Sequence, residues 1–130
     1  MAKDELAAIT EETVKNGGLL IRLYFDMQDK DKDKRQPLLA DLLNNRLLKE
    51  KGIVYGYGKI REPIESNGLF VTSAVITVLL KSISPAINIM FNYAPVAVEV
   101  LKPEKEACIT ASELQTILLD ISNVSIVYSK

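Results

Sequence analysis

The spacing of apolar residues along the chain changes repeatedly between the helical and the extended period. Four segments repeat their apolar positions every three to four residues, which predicts four helices. These segments are residues 4–16, 36–51, 84–93 and 110–121. Four other segments alternate in steps of two or are apolar throughout, which predicts four strands. These are residues 19–27, 53–64, 69–80 and 95–101.

Turn and capping residues support these boundaries. Asn67-Gly68 separates two predicted strands and favours the positive φ angles of a tight hairpin. Ser84 is predicted to cap the third helix, and Thr110 with Glu113 forms a capping box before the fourth. The last segment, residues 123–130, alternates in a way that fits either a fifth strand or the end of the fourth helix.

The alternation also predicts which face of each strand is buried. In residues 19–27 the odd positions, from Leu19 to Met27, are expected in the core. Residues 69–80 are apolar on both faces, which indicates a central strand. In the other two strands we expect these inward positions: Val54, Gly56, Gly58, Ile60 and Ile64, then Val96, Val98 and Val100.

Between the first and last helices the predicted order is β-α-β-β-α-β. This order is that of the split βαβ, or ferredoxin-like, arrangement. The predicted fold class is therefore α+β, with a four-stranded antiparallel sheet and extra helices at both ends. Strands 19–27 and 69–80 would be central in that sheet. The arrangement serves many unrelated functions, so it assigns none by itself.

Composition limits the chemistry that the chain can perform. Its 130 residues are 48% apolar and fit one domain over residues 1–130. The chain has no His and a single Cys, Cys108, which excludes a Ser-His-Asp triad, a Cys-His dyad and an internal disulfide. We therefore predict neither a metal centre nor a cofactor, and the chemistry of an enzyme is disfavoured.

Charge and leader patterns bear on partners and location. The formal net charge is −1, so no global basic field attracts nucleic acid, although residues 46–62 have a local surplus of basic groups. The N-terminus has no signal-peptide pattern, and no apolar stretch is long enough to span a bilayer. We expect no membrane association and a cytoplasmic location, which a lone cysteine fits.

A first candidate site combines aromatic and basic residues on one face of two strands. Aromatic rings and cations on an open sheet can stack bases and contact phosphates of single-stranded RNA. Its residues are Arg22, Tyr24, Tyr55, Tyr57, Lys59 and Arg61. The alternative is an ordinary sheet face with cross-strand Tyr and Lys pairs. The run of glycine and aromatic residues typical of RNA-recognition modules is missing from the chain.

A second candidate surface is the apolar outer face of the strand over residues 69–80. Its residues are Leu69, Val71, Val75 and Leu79. Monomers seldom expose a large contiguous apolar patch, so a second subunit or the C-terminal helix and tail is expected to cover it. We predict a homodimer, with the subunit interface preferred over the helix.

Acidic residues provide weaker candidates. Asp29, Asp31 and Asp33 imitate the first ligands of a calcium loop, but Lys34 replaces its glycine and Ala40 its bidentate glutamate. A carboxylate enzyme is the least favoured class and would need several of these groups in one pocket: Asp26, Glu62, Glu65 and Glu99. The sequence thus favours a small non-enzymatic domain that self-associates or binds another protein. The alternative is a module that binds single-stranded RNA or a small ligand.

Overall fold

A computed structural model describes residues 3–128, with side chains described for residues 3–123. It is a mixed α+β structure with four helices and a five-stranded antiparallel open sheet. The helices are α1 (Lys3–Lys15), α2 (Arg35–Asp41), α3 (Ile83–Tyr93) and α4 (Ala111–Tyr128). The strands are β1 (Leu19–Asp29), β2 (Ile53–Ile60), β3 (Ile64–Ser66), β4 (Leu69–Leu80) and β5 (Ala97–Lys102).

The strand order is β2-β4-β1-β5, and β3 extends the sheet by pairing with β4. All pairings are antiparallel. Strands β1 and β4 are central, as their patterns predict. The Asn67-Gly68 turn joins β3 to β4 with φ angles of 52° and 83°, the positive values expected for a tight hairpin.

The core lies on one side of the sheet, beneath α2, α3 and the turns that follow α2. It is aliphatic apart from Phe25, and the odd positions of β1 point into it as predicted. Its buried members are Leu19, Ile21, Leu23, Phe25, Leu39, Leu43, Leu47, Ala74, Ile76, Val78, Leu80, Ala86 and Ile89. We call this side the core face and the opposite side the outer face.

The second predicted strand differs from the structure in length and in part of its phase. It breaks after Ile60, and residues from Ile64 form the separate short strand β3. A bulge between Ile53 and Tyr55 turns Ile53 toward the core and leaves Val54 36% exposed. Ile64 is 66% exposed rather than buried. Ile60 packs on the core as predicted.

The second predicted helix, residues 36–51, is not one regular α-helix in the structure. After α2 the chain forms a π-helical turn over Leu42–Arg46 and a 3-10 turn over Leu47–Lys49. Its buried leucines recur every four residues, at Leu39, Leu43 and Leu47. This spacing exceeds the 3.6 residues of an α-helical turn, and the wider turn keeps all three on the core.

The last elements correct three further predictions. The N-cap of α3 is Ser82 rather than Ser84. Val98 and Val100 lie opposite Leu23 and Ile21 on the predicted face, but they are 48% and 57% exposed because β5 is an edge strand, and Val96, just before β5, is 61% exposed. The tail is helical through Tyr128, so the fifth-strand alternative is wrong for residues 123–128, while Ser129 and Lys130 lie outside the described residues.

The helix on the outer face is also not the predicted one. Helix α4 packs against α3, whereas α1 lies on the outer face, where it contacts β1 and β4. The Thr10 hydroxyl of α1 hydrogen bonds with the Tyr55 hydroxyl at 2.7 Å. The prediction that the C-terminal helix covers the outer face is therefore wrong, because α4 turns away from it.

Candidate functional site

The strand register brings most of the predicted aromatic and basic residues onto the outer face. Residues directly opposite each other across antiparallel strands share a face. Across β2, β4, β1 and β5 one row contains Tyr57, Thr77, Arg22 and Glu99, and the next contains Lys59, Val75, Tyr24 and Ala97. The prediction that strands 19–27 and 53–64 contribute to one surface is therefore confirmed.

Two of these residues already have a partner within the sheet. The Tyr24 hydroxyl donates a hydrogen bond to Glu99 Oε1, and the Arg22 guanidinium lies 3.7 Å from the same oxygen. Hydrogen bonding to Tyr24, together with the charges of Tyr24 and Glu99, raises the pKa of the exposed Arg22 side chain. Glu99 thus neutralises the β1–β5 half of the surface.

The tyrosines of β2 form the more accessible half. The rings of Tyr55 and Tyr57 are nearly parallel, with an interplanar angle of 14° and centroids 6.2 Å apart. Tyr55 is held by its hydrogen bond to Thr10, while Tyr57 remains 58% exposed. An exposed ring supported by a second ring can stack on a flat or aliphatic group.

Between α1 and these tyrosines lies a cleft of about 780 Å³. We call it the α1 cleft. Its walls are mostly apolar or aromatic, and lysine side chains border it. The lining residues are Lys3, Leu6, Ala7, Thr10, Glu11, Val14, Tyr55, Tyr57 and Lys102. Its volume falls within the range typical of small-ligand sites. The sequence analysis missed the cleft because the apolar stripe of α1 does not show on which part of the sheet the helix packs.

The remaining predicted residues lie at the edges of this arrangement. Lys59 and Arg61 are exposed on or just after β2 and do not line the α1 cleft. Of the predicted interface residues, Leu79 is fully buried, whereas Leu69, Val71 and Val75 are partly exposed. The outer face of β4 is thus covered at one end only.

Another exposed apolar surface occurs on α4. The sequence spaces Leu114, Ile117, Leu118 and Ile121 as one helical stripe, and of these only Ile117 is buried. We call the exposed apolar residues of this helix the α4 surface. They are Leu114, Leu118, Leu119 and Ile121, exposed by 44%, 58%, 60% and 42%. Periodicity correctly identified the helix but could not show that the rest of the protein leaves it uncovered.

The acidic candidates remain separate. Asp29 accepts hydrogen bonds from the Asp31 backbone N–H and the Arg35 guanidinium, and these contacts with the Lys34 charge lower the pKa of Asp29. Within residues 3–128, no group of three acidic or cysteine side chains is placed to hold a metal ion. Asp26, Glu62, Glu65 and Glu99 do not line the α1 cleft. No helix in the same range is long and apolar enough to cross a bilayer.

Comparison with known proteins places the chain in one family. The model of the MJ0538 family matches residues 20–129, and this shows that the chain belongs to it. The match covers the whole sheet except Leu19 and begins after α1. Neither a curated protein nor a solved structure matches the chain.

Proposed function

We propose that this member of the MJ0538 family is a non-enzymatic domain that works by self-association through the α4 surface. The observation that supports the proposal is the exposure of Leu114, Leu118, Leu119 and Ile121, by 42% to 60%. Water-exposed aliphatic groups along one helix gain free energy when a second apolar surface covers them. A second copy of the chain supplies such a surface.

The charges of α4 are compatible with an antiparallel pair of helices. Its described side chains include Glu113 and Asp120 but no basic residue. In a symmetric pair centred on Leu118, Glu113 would lie opposite Asn123 of the second copy, and Asp120 opposite Thr116. No two carboxylates would then face each other, so the apolar contact would not be opposed by like charges.

Sedimentation equilibrium tests this proposal. Wild type at high micromolar concentration is expected at twice the 14.4 kDa chain mass. Leu118→Glu should sediment as a monomer because it buries a charge in the contact. Ser112→Glu, which places the same residue in the first turn of α4 and away from Leu118, should remain dimeric. A monomeric wild type, or a dimeric Leu118→Glu, would overturn the proposal.

The same measurement distinguishes the α4 surface from the outer face of β4. Val75 is partly exposed between Tyr24 and Lys59 on that face. If two copies meet there instead, Val75→Asp becomes monomeric and Leu118→Glu does not. We expect Val75→Asp to keep the mass of the wild-type dimer.

We also infer that the sheet and its two crossover helices form a ferredoxin-like arrangement. The order β2-β4-β1-β5 supports this inference, because α2 connects β1 to β2 and α3 connects β4 to β5. The short strand β3 is an addition to that arrangement. An experimental structure with a different strand order would contradict the inference.

For location, we propose the cytoplasm. The support is Cys108, a free and exposed thiol, which a reducing compartment preserves. Thiol titration of protein purified under non-reducing conditions should find one reactive group per chain. A disulfide-linked dimer would argue against the proposal.

A second candidate function is binding of a small ligand or single-stranded RNA on the outer face. The exposed ring of Tyr57, supported by Tyr55, favours this candidate. Fluorescence titration with mixed-sequence RNA at low salt should detect stacking and phosphate contacts, which weaken as salt rises. If RNA does not bind at high micromolar concentration, the candidate function is restricted to binding of a small ligand.

A further inference from the structure

We propose that the α1 cleft binds a small amphipathic anion, with an apolar body of chain-like or flat shape and one carboxylate or similar group. This inference rests on the second candidate function and specifies both its site and its ligand class. The site is the space between α1 and the tyrosines of β2. The family match includes these tyrosines but not α1.

The fit of an apolar body follows from the walls. Leu6, Ala7 and Val14 of α1 face the cleft from one side, and Tyr55 and Tyr57 of β2 face it from the other. Tyr55 and Tyr57 present nearly parallel rings, so one surface of the cleft is aromatic. An apolar group bound between these walls would have both of its sides shielded from water.

The helix itself leaves the space unfilled. None of the residues of α1 is buried, although its apolar stripe points toward the sheet. The Thr10–Tyr55 hydrogen bond is the described side-chain link between α1 and β2. A ligand would therefore complete the contact between α1 and the outer face without displacing a packed core residue.

The charges at the border select one anionic group. Lys3 and Lys102 border the cleft, and Glu11 is the acidic residue on its lining. Glu104, which is outside the lining, compensates Lys102 through a hydrogen bond and an ion pair. Glu11 lies about two helical turns along α1 from Lys3, so Lys3 is the cation that would meet a monoanion.

The same balance disfavours a polyanion at this site. Glu99 already neutralises Arg22 beyond Tyr57, and α1 covers Tyr55. The phosphates of RNA would gain few uncompensated cations along this path. Lys59 and Arg61, the exposed cations of the β2 edge, lie outside the cleft lining.

A pair of matched variants tests the location. Ala7 and Ala8 are both exposed on α1, but Ala7 lines the cleft and Ala8 lines a depression elsewhere. The probe is 8-anilinonaphthalene-1-sulfonate, an aromatic monoanion whose fluorescence rises in apolar sites. Ala7→Trp should weaken its binding at least tenfold by filling the cleft, and Ala8→Trp should bind as wild type. Equal binding by the two variants would overturn the proposal.

A second measurement tests the charge and the aromatic wall. Decanoate, decanol and decylammonium are used to displace the probe, and decanoate should compete best because only it carries the complementary charge. Tyr57→Ala should weaken decanoate binding, while Lys59→Ala, two residues along β2, should not. A preference for decanol or decylammonium would contradict the proposed anion.

Mixed-sequence RNA, titrated against the same variants, separates this inference from the broader function. RNA that binds wild type and Ala7→Trp equally, but does not bind Lys59→Ala, would use the outer face beyond the cleft. That result would retain the RNA form of the second candidate function even if the decyl compounds failed to bind and overturned the α1 cleft. If neither RNA nor any of the three decyl compounds binds, the second candidate function is overturned as well.

Discussion

At the scale of single residues, Tyr93 shows how one hydrogen bond can connect distant parts of the chain. Its hydroxyl, at the end of α3, donates to Glu50 Oε1 at 2.6 Å, just before β2. Burial of the ring and the bond to Glu50 raise the pKa of Tyr93 to about 12. The folded protein therefore keeps this proton at a pH where an unfolded chain loses it.

This shift predicts a late step in a spectrophotometric titration. Tyr93 should ionise near pH 12 in the folded protein, and Tyr93→Phe should remove that step. The contribution to stability should be complete below pH 10 and fall as the pH rises toward 12, since the unfolded state releases the proton first. Tyr57→Phe is the control and should keep the late step.

The candidate site was predictable in part at this scale. Period two places Arg22 and Tyr24 on one face, and the structure confirms it. Their bond and ion pair with Glu99 were not predictable, because they depend on how β1 and β5 align. Alternation within one strand contains no information on the register of a strand some 75 residues away.

At the scale of elements, the ends of helix α4 were easier to predict than its surroundings. The Glu113 backbone N–H donates to Thr110 Oγ1 at 3.1 Å, as the capping box predicts. The apolar stripe that follows was a candidate cover for the outer face of the sheet, yet only Ile117 is buried. Local signals define where a helix starts, whereas burial depends on which elements surround it.

Removal of the cap should therefore loosen α4 without unfolding the sheet. A lost N-cap costs about 1 kcal/mol of helix stability. In Thr110→Ala, hydrogen exchange of the α4 amides should become faster, while β1 and β4 keep their protection. Ser112→Ala, in the same turn, is the control and should exchange as wild type. Equal acceleration in the sheet would show that α4 unfolds together with the core.

At the scale of the whole molecule, the sequence predicted the central strands but not what covers them. Strand β4 could be placed because it is apolar on both faces, and β1 because the β-α-β-β-α-β order makes it central. A second subunit or the C-terminal helix was expected to cover the outer face; α1 covers one end of it, and coverage by a second subunit stays a prediction. Helix α1 has no buried residue, and its apolar stripe does not show on which part of the sheet it packs.

This arrangement predicts that α1 can be removed without loss of the fold. The core cluster contains no residue of α1. A chain lacking residues 1–16 should melt cooperatively, with a destabilisation of about 1 kcal/mol, or roughly 4 °C. Circular dichroism should retain the sheet signal, and binding of the naphthalene probe should be lost. A non-cooperative melt would show that α1 belongs to the folding unit.

The open edge at β5 has a consequence for the behaviour of concentrated solutions. Val98 and Val100 are exposed along an edge strand, a combination that can template strand-by-strand aggregation. Glu99 lies between them and is the charge at the middle of that strand. Because Arg22 and Tyr24 hold this carboxylate, its power to repel a neighbouring strand is reduced. Removal of this charge in Glu99→Val should therefore turn a clear preparation toward fibrous precipitate, detected as thioflavin T fluorescence, while the melting temperature of the core is kept.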